Sequence, residues 1–321
     1  MTETHDNPTL QHQVDQTLQG KRLDQALAEL SPEYSRSRWQ QAIKAGSVLV
    51  NQRVEKAKYI LMYGDEIIAE LPEAEPSEDL AENIAIEVVH QDKEIIVIHK
   101  PAGLVVHPAA GNASGTLLNA LLYHFPELSK LPRAGIVHRL DKDTSGLMVV
   151  ARSLRAHHHL VEQLQSHDMG RTYLALVYRY VTAGNTIDKP IGRHPHDRLK
   201  MAVREDGREA ITHFRIEERF GEVATLLRVQ LETGRTHQIR VHLSDAHYPL
   251  VGDPLYGKAH IIKGTPAPIR EALQQFPRQA LHATELALYH PKTEQELVFE
   301  CPVPEDMTKL LETLRPLQSP Q

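Results

Sequence analysis

The chain has 321 residues, 41% of them hydrophobic and 24% charged, with a net charge of −6; that is enough for two packed domains of ordinary globular composition. No apolar run approaches the roughly 20 residues of a membrane helix, and the polar residues 1–17 lack a signal core, so a cytoplasmic protein with no membrane partner is expected. The single cysteine, Cys301, excludes an internal disulfide and any multi-thiolate zinc site.

Residues 1–17 are expected to be a flexible lead-in. A small domain is expected over 18–72. Leu23, Leu27 and Leu30 share one helical face, and Ser31-Pro32 ends that helix. Ser35 or Ser37 is placed to cap a second helix on which Trp39 and Ile43 share a face, with Gly46 as the stop. Short strands follow at Val48–Val50 and Ile67–Leu71, with turns at Asn51-Gln52 and Gly64-Asp65. Gly20–Lys58 carries a local charge of +4, the kind of surface that phosphates need. Glu70–Glu87 then carries seven acids and no Lys or Arg, so the rest of the chain sums to +1. Within that run, residues 73–84 are expected to be an acidic linker.

One large, mainly antiparallel β domain with flanking helices is expected over 85–315, with a flexible end at 316–321. Its strands are Ile95–Ile98, Met148–Ala151, Tyr173–Tyr178, Leu226–Leu231 and Leu281–Tyr289. Helices are expected at Arg155–His167 and Glu305–Leu314. Lys189–Arg204 carries a second local excess of +4. The fold class is therefore α+β.

Four segments carry the chemistry. In Gly135–Gly146 the carboxylate of Asp141 lies between Arg139 and Lys142, whose charges favour its anionic form; from the residues alone this is also a strand ending in a capped turn. In Arg171–Ala175, Tyr173 on a strand reads as a core aromatic. In Glu232–Leu243, Thr236 is placed to cap a helix from whose first turn Arg240 projects, able to grip a carboxylate with two donors, with Arg235 as the weaker alternative. Lys100–Pro108 is a proline–glycine loop. His157, His158 and His159 fan out by about 100° each on a helix and do not converge on one ion, so no metal is expected. No Gly-x-x-x-x-Gly-Lys-Ser/Thr run occurs, so no nucleotide cofactor is expected.

The run His138-Arg139-Leu140-Asp141, followed by Thr144-Ser145-Gly146, resembles the signature of the RNA pseudouridine synthases of the large-subunit ribosomal RNA type. Arg171–Ala175 and Glu232–Leu243 resemble that family's second and third motifs. Arg22–Leu27, Ser35–Arg38 and Gly46–Asn51 resemble the small S4-type RNA-binding domain. The resemblance implies a cofactor-free isomerase that turns uridines of 23S ribosomal RNA, at the helix 69 stem-loop, into pseudouridine. It implies that Asp141 is the nucleophile, that Tyr173 stacks on the target base, and that Arg240 pairs with Asp141. Arg139, with His138 beside it, then fills the space left by the flipped base. Arg36, Arg38, Lys44 and Arg235 become RNA contacts. The expected partner is 23S RNA or the large subunit, and a monomer is expected. The alternatives are a non-catalytic RNA-binding assembly factor and a synthase acting on another RNA. A hydrolase using Asp141 and Asp143 is disfavoured, since their i, i+2 spacing does not of itself create the separation a glycosidase needs.

Overall fold

The computed structural model describes residues 9–31, 36–70, 80–108, 112–258 and 261–318, with only the backbone of Thr9, Ser37 and Arg38. The chain divides into two compact units, Met1–Leu80 with Ser129–Pro132, and Ala81–Leu128 with Arg133–Gln321.

The first unit runs β1 (Thr9–Gln13), α1 (Leu23–Leu30), α2 (Arg36–Ala45), β2 (Val48–Val50), β3 (Arg53–Val54) and β4 (Glu66–Glu70). The strands form an antiparallel sheet in the order β1-β4-β2-β3. The helical spacing of Leu23, Ala26 and Leu27, and of Trp39, Ala42 and Ile43, buries one stripe of each helix against Val48, Val50, Ile67 and Ala69. Asn51 and Gln52 both adopt left-handed backbone angles (φ 49° and 63°), as a two-residue hairpin requires. Asn51 anchors that turn, its amide donating to Asp65 (2.8 Å) and its carbonyl oxygen accepting the Glu66 N–H (2.9 Å). The cap expected from Ser35 or Ser37 lies outside the described residues.

The lead-in is not flexible throughout. Thr9–Gln13 pairs with β4, and Val14 and Leu18 are buried in the same core. The period-two placement of Leu10, His12 and Val14 carried that strand, and the polar residues between them masked it.

The second unit opens with β5 (Glu87–Gln91), β6 (Ile95–Lys100), α3 (Leu117–His124), β7 (Ser145–Ala151), α4 (Leu154–Gln165) and β8 (Gly170–Tyr178). It continues through β9 (Asn185–Asp188), β10 (Ile191–Arg193), β11 (Met201–Val203), β12 (Ile211–Phe220) and β13 (Ala224–Leu231). It closes with α5 (Gln238–Asp245), α6 (Ala267–Gln275), β14 (Leu281–Tyr289), β15 (Glu296–Glu300) and α7 (Glu305–Leu314). The large sheet has the order β5-β6-β7-β14-β8-β13-β12-β9, with β15 added to β14. Every pairing in it is antiparallel except β7 with β14. Leu174, Leu176 and Tyr178 of β8 pack with α6 and α7, so the alternation of the strand turns Tyr173, Ala175 and Val177 to the other face. Ile95 and Val97 of β6 and Leu147 and Val149 of β7 pack under Ala156 and Leu160 of α4.

Several elements differ from the sequence expectation. Residues 82–84 of the acidic linker are tied to α3: Glu82 accepts the Gly115 N–H, and its own N–H donates to the Asn119 carbonyl. Helix α3 escapes periodicity analysis because Leu117, Leu118, Leu121 and Leu122 are apolar all round and all buried. Helix α6 offers only Ile269 and Leu273 as its buried stripe. The basic run Lys189–Arg204 holds the β10–β11 hairpin. At the C-terminus, the short 3-10 turn Arg315–Leu317 extends into the segment 316–321 expected to be flexible.

The parallel β7–β14 contact depends on Gly146. Its φ is +123°, and a Cβ there would stand 2.2 Å from the Ala283 carbonyl oxygen. Gly146→Ala is therefore expected to cost at least ~1–3 kcal/mol, through overpacking plus left-handed strain. A urea midpoint lowered without a change in slope would register it; an unchanged midpoint would contradict this role.

Candidate active site

Asp141 lies in the loop that enters β7. A turn closes behind it, its carbonyl accepting the Thr144 N–H at 3.1 Å. This loop is stapled to the segment that follows β6. The Gly103 N–H donates to the Lys142 carbonyl (2.9 Å), and the fully buried Lys100 ammonium donates to the carbonyls of Pro101, Leu104 and Lys142, each at 2.9 Å. Three acceptors match the three N–H bonds of an ammonium. Burial lowers the Lys100 pKa to about 7, with the nearby carboxylates of Asp141 and Asp143 opposing the shift.

Arg240, in the first turn of α5, is the centre of the site. Its Nε and Nη2 grip Asp253 Oδ2 and Oδ1 at 2.7 and 2.9 Å, while Nη1 donates to Asp141 Oδ2 at 2.9 Å. Asp253 has no solvent exposure and also accepts the N–H groups of Leu255 and Tyr256 on Oδ1. Burial alone would raise the Asp253 pKa, but the Arg240 bonds lower it. Burial likewise disfavours the Arg240 charge, and the two carboxylates reverse this and hold it cationic. The Tyr256 ring lies under the guanidinium at 5.1 Å, adding a cation–π contact. The loop that delivers Asp253 needs a glycine before it: Gly252 has φ +71°, and a Cβ there would meet the Arg278 carbonyl oxygen at 2.1 Å.

Asp141 differs from Asp253 in what its second oxygen does. Oδ2 is held by Arg240, while among the described residues Oδ1 has His237 Nε2 near it, at 4.0 Å. His237 sits at the mouth of α5 in a left-handed conformation (φ 57°), and its Nδ1 meets the Tyr256 hydroxyl at 2.8 Å. That hydroxyl already accepts the Met201 N–H at 2.8 Å, so its proton is available to Nδ1 and leaves the imidazole N–H on Nε2, toward Asp141. Burial lowers the His237 pKa, which keeps the ring neutral. Tyr173 is buried on β8 between Val229 of β13 and Ala283 of β14. Burial raises the phenol pKa, Arg171 opposes this and the Asp141 charge adds to it, so the side chain is a neutral aromatic surface.

The structure thus brings Asp141 and Arg240 together and places Tyr173 within reach of the Asp141 charge. The other expected site residues behave differently from one another. Arg139 is exposed. His138 is committed elsewhere: its Nε2 accepts the Val149 N–H at 3.0 Å, and burial lowers its pKa to about 3, so it is neutral and pins the loop to β7 rather than offering charge to a phosphate. Arg235 donates to the Glu209 carbonyl (2.8 Å) rather than to Asp141. Thr236 does not cap α5; the side chain of Gln238 folds back to accept the Arg235 N–H instead. In the small unit, Arg36 pairs with the buried Asp24 at 2.9 Å, and Lys44 is exposed. The Arg38 side chain lies outside the described residues. Lys100, His237, Asp253 and Tyr256 had no assigned role in the sequence, because each acts through a partner distant along the chain or through burial.

The constellation of an aspartate held by arginine beside a buried tyrosine, on a mixed sheet, is accompanied by clear relationships. Residues 94–245 match the RNA pseudouridylate synthase family, and residues 21–67 match the S4 domain. The chain belongs to the RNA pseudouridylate synthase family and is an RNA pseudouridine synthase with an S4 domain. Its relatives include the ribosomal large subunit pseudouridine synthase D of Pseudomonas aeruginosa, 52% identical over 93% of both chains. The protein of the same name from Escherichia coli K12 is 49% identical, over 92% of this chain and 91% of that one. Among solved structures, human RNA pseudouridylate synthase domain containing 4 aligns with a TM-score of 0.56 and 26% identity, over 71% of this chain and 93% of that one.

Two outcomes follow from the geometry. Arg240→Lys keeps the charge but loses the planar fork that grips Asp253 with two donors while aiming a third at Asp141, so single-turnover isomerisation at saturating RNA should fall at least ~10²-fold, the scale of a misplaced catalytic group. The RNA dissociation constant should barely move; a near-normal rate would contradict the bridging role. His138 is neutral when folded and protonates near 6.5 when unfolded, so the unfolded state binds more protons between those pH values. Its stability contribution is complete above pH 6.5 and is lost as the pH falls toward 3. His138→Gln should flatten the decline in urea midpoint between pH 6.5 and 4, and an unchanged slope would place the decline elsewhere.

Proposed function

We propose that this protein isomerises uridines of 23S ribosomal RNA, in the helix 69 stem-loop, with Asp141 as the covalent or leaving-group-assisting carboxylate and no cofactor. The observation that carries the reading is the asymmetry between two carboxylates on one arginine. Asp253 spends both oxygens on Arg240 and backbone N–H groups, while Asp141 keeps Oδ1 for a reacting carbon. The names of the curated relatives support a large-subunit substrate.

In this reading Arg139, exposed beside Asp141, enters the stack as the target uridine leaves it. Tyr173 stacks against the flipped uracil, an interaction worth about 1–3 kcal/mol per base. The bond from N1 to C1′ breaks and one from C5 to C1′ forms; the C5 proton departs to solvent and N1 gains one. No electrons are gained or lost overall, so no redox partner is needed. Lys44 and Arg36 of the S4 unit, with Arg38, add phosphate contacts. The protein acts as a cytoplasmic monomer.

The test uses large-subunit RNA lacking pseudouridine and tritiated at uracil C5. Wild type should release tritium, and the modified positions should map to helix 69. Asp141→Asn should release none while binding RNA with wild-type affinity. Turnover by the variant would remove Asp141 from its role, and release mapped to other positions would correct the target alone.

A further inference from the structure

A second cluster of reactive side chains lies away from Asp141. His99 ends the α4-facing alternation of Ile95 and Val97 on β6, whereas Lys100, the next residue, turns to the opposite face and the catalytic loop. Beside His99 stand His282 of β14 and Cys301, just past β15. One ligand atom from each of the three lies within 4.8 Å of the others. The Cys301 sulfur is 3.3 Å from His282 Nε2.

The outer bonds of both imidazoles are made through the same nitrogen, Nδ1. His99 Nδ1 is held by the Glu87 carboxylate at 2.8 Å, and His282 Nδ1 by the Ser145 hydroxyl at 3.0 Å. Each ring therefore turns Nε2 inward. His99 Nε2 is buried and has no hydrogen-bond partner among the described residues, a costly state for a nitrogen in a folded core. A hydrogen bond between Cys301 and His282 alone does not relieve it. A metal ion between the two Nε2 atoms and the sulfur does. A carboxylate and a hydroxyl behind the ligating rings is the outer arrangement that fixes such histidines.

We propose that His99, His282 and Cys301 form a binding site for a zinc ion, which ties β6, β14 and the end of β15 together behind the catalytic sheet. Two imidazoles and one thiolate are a borderline-soft donor set of the kind zinc takes, with a water completing the tetrahedron. Zinc bonds of about 2.0–2.1 Å to nitrogen and 2.3 Å to sulfur set donor atoms roughly 3.3–3.6 Å apart, the spacing of the sulfur and His282 Nε2. The charges also close: the thiolate and the Glu87 carboxylate behind His99 together balance a dication. The single cysteine argues against multi-thiolate zinc sites but not against this one, which needs a single thiolate.

The test is equilibrium dialysis of the metal-stripped full chain against Zn2+, with Co2+ as an optical substitute. One equivalent should bind, Co2+ should give a sulfur-to-metal charge-transfer band, and Zn2+ should raise the wild-type Tm by mass action. Cys301→Ser should lose the band and at least about 100-fold in affinity. His99→Gln, at a less buried position, should do the same for affinity while its circular dichroism matches wild type, which separates lost ligation from lost folding. No stoichiometric binding would overturn the proposal. So would zinc that both variants retain with unchanged affinity, which would place the metal on other histidines such as His157, His158 and His159.

Discussion

The site depends on one buried guanidinium. Arg240 is held on one side by Asp253, which has no solvent exposure, and on the other by Asp141. Burying such a pair is expensive, and the exchange with water leaves little net stability. What it yields is position. Two donors to Asp253 fix the plane of the guanidinium, leaving Nη1 at a defined place and angle for Asp141. The arrangement also sets the two carboxylates apart, because both Asp253 oxygens accept hydrogen bonds while, among the described residues, only Oδ2 of Asp141 does.

The rest of the second unit brings those three residues together. The parallel contact of β7 with β14 sets Gly146 against Ala283, and Ala283 is in turn the neighbour of Tyr173 on β8. The Asp141 loop and the buried tyrosine are thereby delivered to one place by strand register. Lys100 then ties the Asp141 loop to the end of β6 through backbone carbonyls, independent of what side chains the loop carries. His138 pins the same loop to Val149. A short loop is thus held by the buried Lys100 on one side and a neutral imidazole on the other, so the Asp141 carboxylate sits on a loop anchored from both sides.

Much of this was legible in the sequence. The amphipathic stripes of α1 and α2 and the apolar strands β6, β7, β8, β13 and β14 follow from periodicity, and α7 was found with its observed bounds. Asp141, Tyr173 and Arg240 stand in motif-like runs whose residue types suit their chemistry. Other features were hidden for physical reasons. A lysine before a proline reads as a surface turn, and only the fold shows that Lys100 is buried with its three N–H bonds satisfied. Asp253 after a glycine reads as a turn residue until Arg240 is placed against it. His138 sits in a basic flank, yet the strand beside it makes it a hydrogen-bond acceptor. The turn before α5 is closed by Gln238 reaching backward to the Arg235 N–H, a contact that local propensity does not reveal. Helix α3 lacks periodicity because its first six residues, Leu117–Leu122, are all buried.

The central claim is that Asp253 acts on the reaction only through Arg240. The direct measurement is a double-mutant cycle on single-turnover rates with Asp253→Asn, Arg240→Lys and the pair. If Asp253 serves solely to hold the guanidinium, the double variant will be no slower than Arg240→Lys alone, a strongly non-additive result. Additive losses would mean that Asp253 contributes separately, and would contradict the account of Arg240 as the single link between the buried anchor and Asp141.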